Sequence, residues 1–201
     1  MTPLAITIGL SYLLGSIPFG YLLVRVLYGE DVRTVGSGNI GATNVSRKSP
    51  WLGLLTLLLD AGKGYAAVVI TMRLFPIPVW MAGLAAFSAI VGHSFSIWLK
   101  FGGGKGVATG LGSFLPLVPK TILVLVCIFI VVVAVSRYVA LASVLTVALF
   151  PAVAWFLEPY RETPQMLTFM AASSILIIVR HHGNIRRLMA GTEPRFHGSG
   201  Q

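Results

Sequence analysis

Ile97-Trp-Leu-Lys-Phe-Gly-Gly-Gly-Lys-Gly-Val-Ala-Thr-Gly-Leu-Gly112 sets three glycines, a lysine and a fourth glycine between two apolar runs. Gly102, Gly103 and Gly104 allow backbone of positive φ and let a charged oxygen approach N–H groups directly. Lys105 adds a full positive charge. Gly106, Val107 and Ala108 read as the first turn of a helix, whose unpaired N–H groups and dipole also favour an anion. The stretch therefore predicts a phosphate site at a membrane surface; the plainer alternative is a glycine hinge between two helices.

Composition fixes the class around it. The chain has 201 residues, 56% of them hydrophobic and only 10% charged, with a mean hydropathy of +0.86. Soluble domains carry about 25% charged residues, so this is a polytopic integral membrane protein, and its long apolar runs predict an all-α fold. At about 20 apolar residues per span, the breaks predict seven transmembrane helices: Pro3–Tyr28, Trp51–Met72, Val79–Leu99, Val107–Val118, Thr121–Val135, Tyr138–Leu157 and Gln165–Val179. The fourth is short and follows the glycine-rich break, so it must be tilted, re-entrant or buried by protein. One domain over residues 1–201 is expected, with 190–201 a polar cytoplasmic tail, disordered from Pro194 onward.

Pro3–Tyr28 lacks the basic start and short apolar core of a signal peptide and is kept as a helix. Cys127, the single cysteine, excludes an internal disulfide and reads as a packing residue. Arg25, Arg33, Arg47, Lys48, Lys100, Lys105, Arg137, Arg180, Arg186, Arg187 and Arg195 fall on one side. Only Arg73, Lys120 and Arg161 fall on the other. The positive-inside rule makes the first side cytoplasmic, with the N-terminus outside and the C-terminus inside. The net charge of +9 is thus topology plus attraction to anionic headgroups. No nucleic-acid motif accompanies it.

A second motif, Val-Gly-Ser-Gly-Asn-Ile-Gly-Ala-Thr-Asn-Val-Ser-Arg, spans Val35 to Arg47. It matches G-x-G-x-x-G, but no βαβ context surrounds it and a dinucleotide site is set aside. Ser37, Asn39, Thr43, Asn44 and Ser46 offer dense small hydrogen-bonding groups for a polyol or phosphate, and Arg47 a bidentate partner for phosphate. Helix capping by Asn44 or Ser46 is the plainer reading. The third cluster, read as the end of the last helix, is Arg180-His181-His182-Gly183-Asn184-Ile185-Arg186-Arg187, where helical spacing puts His181 and Asn184 on one face. No acidic or cysteine ligand stands at metal spacing with these histidines, so no metal is expected. Asp60 and Lys63, at i and i+3 inside the second span, form an intramembrane pair that is either structural or functional.

Gly36 to Asn44, Phe101 to Thr109, and Arg180-His181 with Asn184 to Leu188 together resemble the bacterial acyl-phosphate-dependent glycerol-3-phosphate acyltransferases, the PlsY family. Gly15 to Gly20, Leu59-Asp60 with Lys63-Gly64, Gly92-His93, and Arg137-Tyr138 with Leu141 to Ser143 extend the likeness over essentially the whole chain. The resemblance implies a multi-pass inner-membrane acyltransferase with a cytoplasmic site and no cofactor. It would move a fatty acyl group from acyl phosphate to the sn-1 hydroxyl of glycerol 3-phosphate, the first acylation of phospholipid synthesis. By position it implies catalytic roles for Ser37, Lys105, His181 and Asn184. Substrate binding falls to Asn39, Thr43, Asn44, Arg47, Gly102, Gly103, Gly104, Gly106 and Ser143. Gly183, where relatives often carry an acidic residue, and Lys48-Ser49-Pro50, without the glycine expected there, depart from the pattern.

Both implied reactants carry phosphate, and the sequence offers two cationic or N–H-rich centres for them. Acyl phosphate has a good leaving group, so alignment and charge stabilisation suffice without a protein nucleophile. His181 and a substrate phosphate oxygen both stand open as the base. The His-x-x-x-x-Asp pair of other acyltransferases is absent, since Trp98 follows His93 and Arg186 and Arg187 follow the paired histidines. Two competing classes are an anion transporter built on the broken fourth helix and a basic lipid-binding scaffold. One-sided motifs and the lack of an inverted repeat weigh against the first, and the dense polar motifs against the second. Acyl-chain preference and oligomeric state, a monomer included, stay open.

Overall fold

A computed structural model describes residues 2–159 and 163–196, and every described regular element is helical. Arg161, counted above in the charge bias, and residues 197–201 of the expected tail lie outside the described residues. The chain divides into two compact units, Met1–Leu117 and Val118–Gln201.

The first unit holds α1 (Pro3–Ser16), α2 (Phe19–Tyr28), α3 (Ala42–Val45), α4 (Pro50–Leu74), α5 (Val79–Ser94) and α6 (Val107–Phe114), with 3-10 turns at Val32–Thr34 and Ile97–Leu99. Proline punctuates these helices. Pro3 and Pro50 sit in first turns behind the side-chain caps Thr2 and Ser49, where a missing N–H costs nothing. Pro18 instead interrupts the first apolar run, dividing it into α1 and α2.

Small residues set the packing of this unit. α5 buries Ala82, Ala85, Ala86 and Ala89. A Cβ added at Gly15 would overlap the Ala89 backbone, and one at Gly92 would overlap the carbonyl of Tyr12. Across α4 and α6, a Cβ at Gly64 would meet the Thr109 carbonyl, and one at Gly112 the Ala61 carbonyl. Helices in lipid gain nothing by hiding apolar surface from tails that are equally apolar, so close backbone approach takes over as the attraction.

The second unit holds α7 (Pro119–Ser136), α8 (Val139–Leu157), α9 (Pro164–Arg180) and α10 (His182–Met189). Glu158 lies just past α8 and its Oε1 accepts from the Thr121 N–H (3.1 Å) and hydroxyl (3.3 Å) at the start of α7. A carboxylate there satisfies orphan donors and suits the helix dipole. At the other end Arg137 turns the chain with φ 59°, and its carbonyl accepts from the Phe196 N–H at 2.7 Å. The tail expected to be disordered from Pro194 is therefore tied down through Phe196, because its N–H and the Arg195 guanidinium, bonded to Tyr138 Oη at 3.2 Å, reach the α7–α8 turn. Cys127, read as a packing residue, is exposed on α7, beside exposed Leu123, Val124, Ile130 and Val131.

Among the described residues, five helical segments are long and apolar enough to cross a membrane: Pro3–Tyr28, Pro50–Leu74, Val79–Leu99, Pro119–Ser136 and Val139–Leu157. A sixth is obtained if α9 and α10, bent by 58°, count as one. The expected seven differs from this by α6, whose eight residues rise about 12 Å, well short of a bilayer core of about 30 Å.

The glycine contacts give a direct test. Gly112→Val should destabilise the protein by about 1–3 kcal/mol, the usual range for overpacking. Gly62→Ala, at a helical position with nothing within 4 Å of an added Cβ, should be neutral or mildly stabilising. Thermal unfolding of both variants in detergent checks the contrast.

Candidate active site

In the first unit the Val35–Arg47 segment is shaped from within by Asn44. Its Oδ1 accepts from the Ser37 N–H at 2.9 Å, and its Nδ2 donates to the carbonyls of Val32 (3.1 Å) and Val35 (2.9 Å). Expected among the substrate-binding groups, Asn44 is 3% exposed and braces the loop. Gly36 (φ 60°) and Gly38 (φ 68°) supply the left-handed turns, and the Gly36 site has no room for a Cβ beside Asn44 Oδ1. Arg47 lies over the same turn, its Nη1 3.2 Å from where that Cβ would stand. Ser37, Thr43 and Arg47 are exposed. Asn39 accepts from the Gly41 N–H at 2.8 Å, closing a local turn.

Asp31 anchors the near end of this loop through Arg33, with Oδ2 2.6 Å from Nη2. The guanidinium lowers the carboxyl from 3.8 to about 2. This contribution is complete above the ordinary carboxylate range and is lost as pH falls through about 2, so the brace is intact at neutral pH.

The glycine-rich loop is held by reciprocal backbone bonds. Phe101 N–H donates to the Ser96 carbonyl (2.8 Å), Ser96 N–H to the Gly102 carbonyl (3.2 Å), and Gly104 N–H to the His93 carbonyl (3.0 Å). Positive φ falls at Lys100, Phe101 and Gly106, not at Gly102–Gly104 as the sequence suggests. Gly103 and Gly104 are required for proximity: added Cβ atoms would strike the carbonyls of His93 and Ser94, and the His93 ring. The Gly104 N–H is directed inward, and α6 begins at Val107 without a side-chain cap. Lys105 is half-buried between loop and helix.

Beneath this loop lies a group that residue patterns revealed only in part. Lys63 Nζ stands 2.7 Å from Asp60 Oδ1, 3.0 Å from His93 Nδ1 and 2.6 Å from the Ile17 carbonyl, with the Phe19 ring 5.7 Å away. All three side chains are buried. The i, i+3 spacing exposed the Asp60–Lys63 pair, but His93 comes from another helix and carries no spacing signal.

In the second unit the basic cluster straddles a bend. α9 stops at Arg180 and α10 starts at His182, so the cluster is not the end of one continuous helix. His181, 3% exposed, has Nδ1 2.7 Å from the Ile177 carbonyl. A carbonyl only accepts, so Nδ1 carries the proton and Nε2 is the basic nitrogen of the neutral ring. Asn184 Nδ2 donates to Glu193 Oε1 at 2.6 Å, and Arg187 Nε to Glu193 Oε2 at 2.7 Å. Gly191, with φ 69°, turns the chain back to bring that carboxylate in. Ser143 is 4% exposed and donates to the Val139 carbonyl of its own helix at 2.9 Å. An apolar groove opens along the bend, lined by Ile178, Val179, Ile185 and Met189 among others.

The family model described as glycerol-3-phosphate acyltransferase matches residues 5–191, through both units and all three motifs. This chain belongs to the glycerol-3-phosphate acyltransferase family. Curated relatives of that description include one from Trichlorobacter lovleyi, 47% identical over 190 residues, covering 92% of this chain and 94% of the relative. Another, from Thermosynechococcus vestitus, is 44% identical over 94% and 93% of the two chains. The fold matches a crystal structure of PlsY (YgiH), an integral membrane glycerol 3-phosphate acyltransferase in its glycerol 3-phosphate form, with a TM-score of 0.89, 33% identity and 98% and 96% coverage. The lysophosphatidic acid form of the same protein matches with a TM-score of 0.85. Membership in the glycerol-3-phosphate acyltransferase family extends from Ala5 to Gly191, so it includes the bend at His181 as well as both loops.

Glu193→Gln should cost about 1–3 kcal/mol, because it removes a charge-assisted bond to Arg187 and disturbs the one to Asn184. Hydrogen exchange confined to α10 and the Gly191 turn, with α4 and α5 unchanged, is the expected readout.

Proposed function

We propose that this chain is a multi-pass enzyme of the bacterial inner membrane that transfers a fatty acyl group from acyl phosphate to the sn-1 hydroxyl of glycerol 3-phosphate. The products are lysophosphatidic acid and inorganic phosphate. The observation that carries the reading is the family match over residues 5–191, joined to the likeness to PlsY in its glycerol 3-phosphate form. The choice of acyl phosphate as donor rests on the motif resemblance. The topology of seven segments, with the N-terminus outside and the site and C-terminus cytoplasmic, rests on the one-sided lysines and arginines. Both units serve one acyltransferase domain on this reading.

The chemistry needs little beyond alignment. The glycerol hydroxyl adds to the carbonyl carbon of the mixed anhydride, negative charge gathers on the carbonyl oxygen, and the C–O bond to phosphate breaks as the hydroxyl proton leaves. Lys105 and the Gly102–Gly106 backbone stabilise phosphate charge, helped by the uncapped start of α6. Arg47 pairs with the second phosphate, while Ser37, Asn39 and Thr43 bond polar oxygens; Asn44 acts by holding that loop in shape. Ser143 has acceptor capacity left on Oγ and binds substrate in the second unit. His181, with Nδ1–H committed to Ile177, offers Nε2 as proton acceptor, and Asn184 is oriented beside it by Glu193. A substrate phosphate oxygen is the other candidate base. The acyl chain stays among apolar side chains, and no protein nucleophile is used.

With palmitoyl phosphate and glycerol 3-phosphate, the purified protein should release inorganic phosphate and form lysophosphatidate, and palmitoyl-CoA should not replace the donor. Lys105→Ala should reduce turnover at least about 100-fold, the scale of losing one strong electrostatic contact in the transition state. Product from palmitoyl-CoA alone would overturn the donor assignment. Full turnover of His181→Ala across the pH range would assign the base to substrate phosphate.

A further inference from the structure

Asp60 and Lys63 on α4 and His93 on α5 form a buried charged group that the proposed chemistry does not use. An apolar pair of similar size would hold α4 to α5 at least as well, since two desolvated charges recover little net energy from each other. Charge gives instead a fixed hydrogen-bond direction. An ammonium has hydrogens to give and no lone pair to receive one; Lys63 Nζ is ion-paired with Asp60 Oδ1 at 2.7 Å and hydrogen-bonded to His93 Nδ1 at 3.0 Å and to the Ile17 carbonyl at 2.6 Å. The Ile17 carbonyl lies at the break made by Pro18. His93 Nδ1 must then accept, which leaves the ring's one proton on Nε2.

Nε2 is the edge of the ring that meets the glycine loop. A Cβ at Gly104 would fall on Nε2 and its two neighbouring carbons, and the His93 carbonyl accepts the Gly104 N–H at 3.0 Å. His93 thus touches Gly104 through both ring and backbone, while Lys63 sets the orientation of the ring. We propose that Asp60, Lys63 and His93 position the Gly102–Gly106 loop for phosphate, with His93 held as the neutral tautomer whose protonated Nε2 edge packs against Gly104. The inference rests on the reading of that loop as the binding site for a substrate phosphate, and it makes His93 a positioning residue.

Two independent readouts test it. Nitrogen-15 NMR of the full chain in nanodiscs, with histidine labelled and His93 assigned by the signal lost in His93→Gln, should show Nδ1 without a proton and Nε2 with one. Kinetics should then separate two short amides. His93→Gln is long enough to place its amide against Gly104 and should keep the KM of both phosphorylated substrates within about threefold of the parent, whereas His93→Asn is too short. His93→Asn should raise the KM of the substrate whose phosphate the loop holds by about tenfold, with kcat within about twofold, as expected when the loop loses a positioning contact that acts in binding. Varying glycerol 3-phosphate and acyl phosphate in turn tells which of the two it is. A proton on Nδ1, an imidazolium signature, or equal KM values in the two variants would overturn the proposal. The tautomer is read without substrate, so a wrong phosphate reading shows only in the kinetics and a wrong network shows in the spectrum.

Discussion

Where backbone leaves the helical path and is buried inside a membrane protein, no bulk water satisfies it, and an unpaired N–H or carbonyl there costs several kcal/mol. Each irregular stretch described above answers this constraint with an internal partner. Asn44 ties two points of the Val35–Arg47 loop to each other and to Val32 in the turn before it. Ser96 and His93 carbonyls hold the glycine loop, Lys63 takes up the Ile17 carbonyl, and Glu158 takes the first donors of α7. A loop braced in this way keeps its shape before substrate arrives, which is the condition for electrostatic stabilisation without reorganisation.

Glycine serves this arrangement in two separate ways. At Gly36, Gly38, Gly106 and Gly191 it supplies a left-handed turn. At Gly15, Gly64, Gly92, Gly103, Gly104 and Gly112 the backbone is ordinary and the missing Cβ is what matters, because carbonyls or a ring occupy its place. One residue type therefore both closes the helices on one another and lets the loop lie against the His93 ring.

These two roles explain what could be read in advance. Membrane-length helices were legible because lipid demands continuous apolar runs, and Pro50, Pro119 and Pro164 mark their starts to within two residues. The three polar motifs were legible because Gly, Ser, Asn and basic residues stand out in a chain with so few charges. What escaped depends on bonds between residues far apart in sequence. Lys63 and His93 are 30 positions apart, and Ser96 and Ser16, joined by a 2.6 Å bond, are 80 apart. Glu193 had one available signal, an acidic residue beside a basic cluster in a chain with only six acidic residues. The placement of positive φ at Lys100 and Phe101 had none, since neither residue favours it.

On the proposed reading, two phosphates are held by rigid donors with the acyl carbon of one substrate set against the hydroxyl of the other, an arrangement that needs no covalent relay through the protein. Intact-mass analysis of the enzyme mixed with acyl phosphate, first without and then with glycerol 3-phosphate, tests this most directly. The account predicts unmodified protein at every time point, with phosphate released only once the acceptor is added. A protein heavier by one acyl group, formed before the acceptor arrives and discharged by it, would contradict the account.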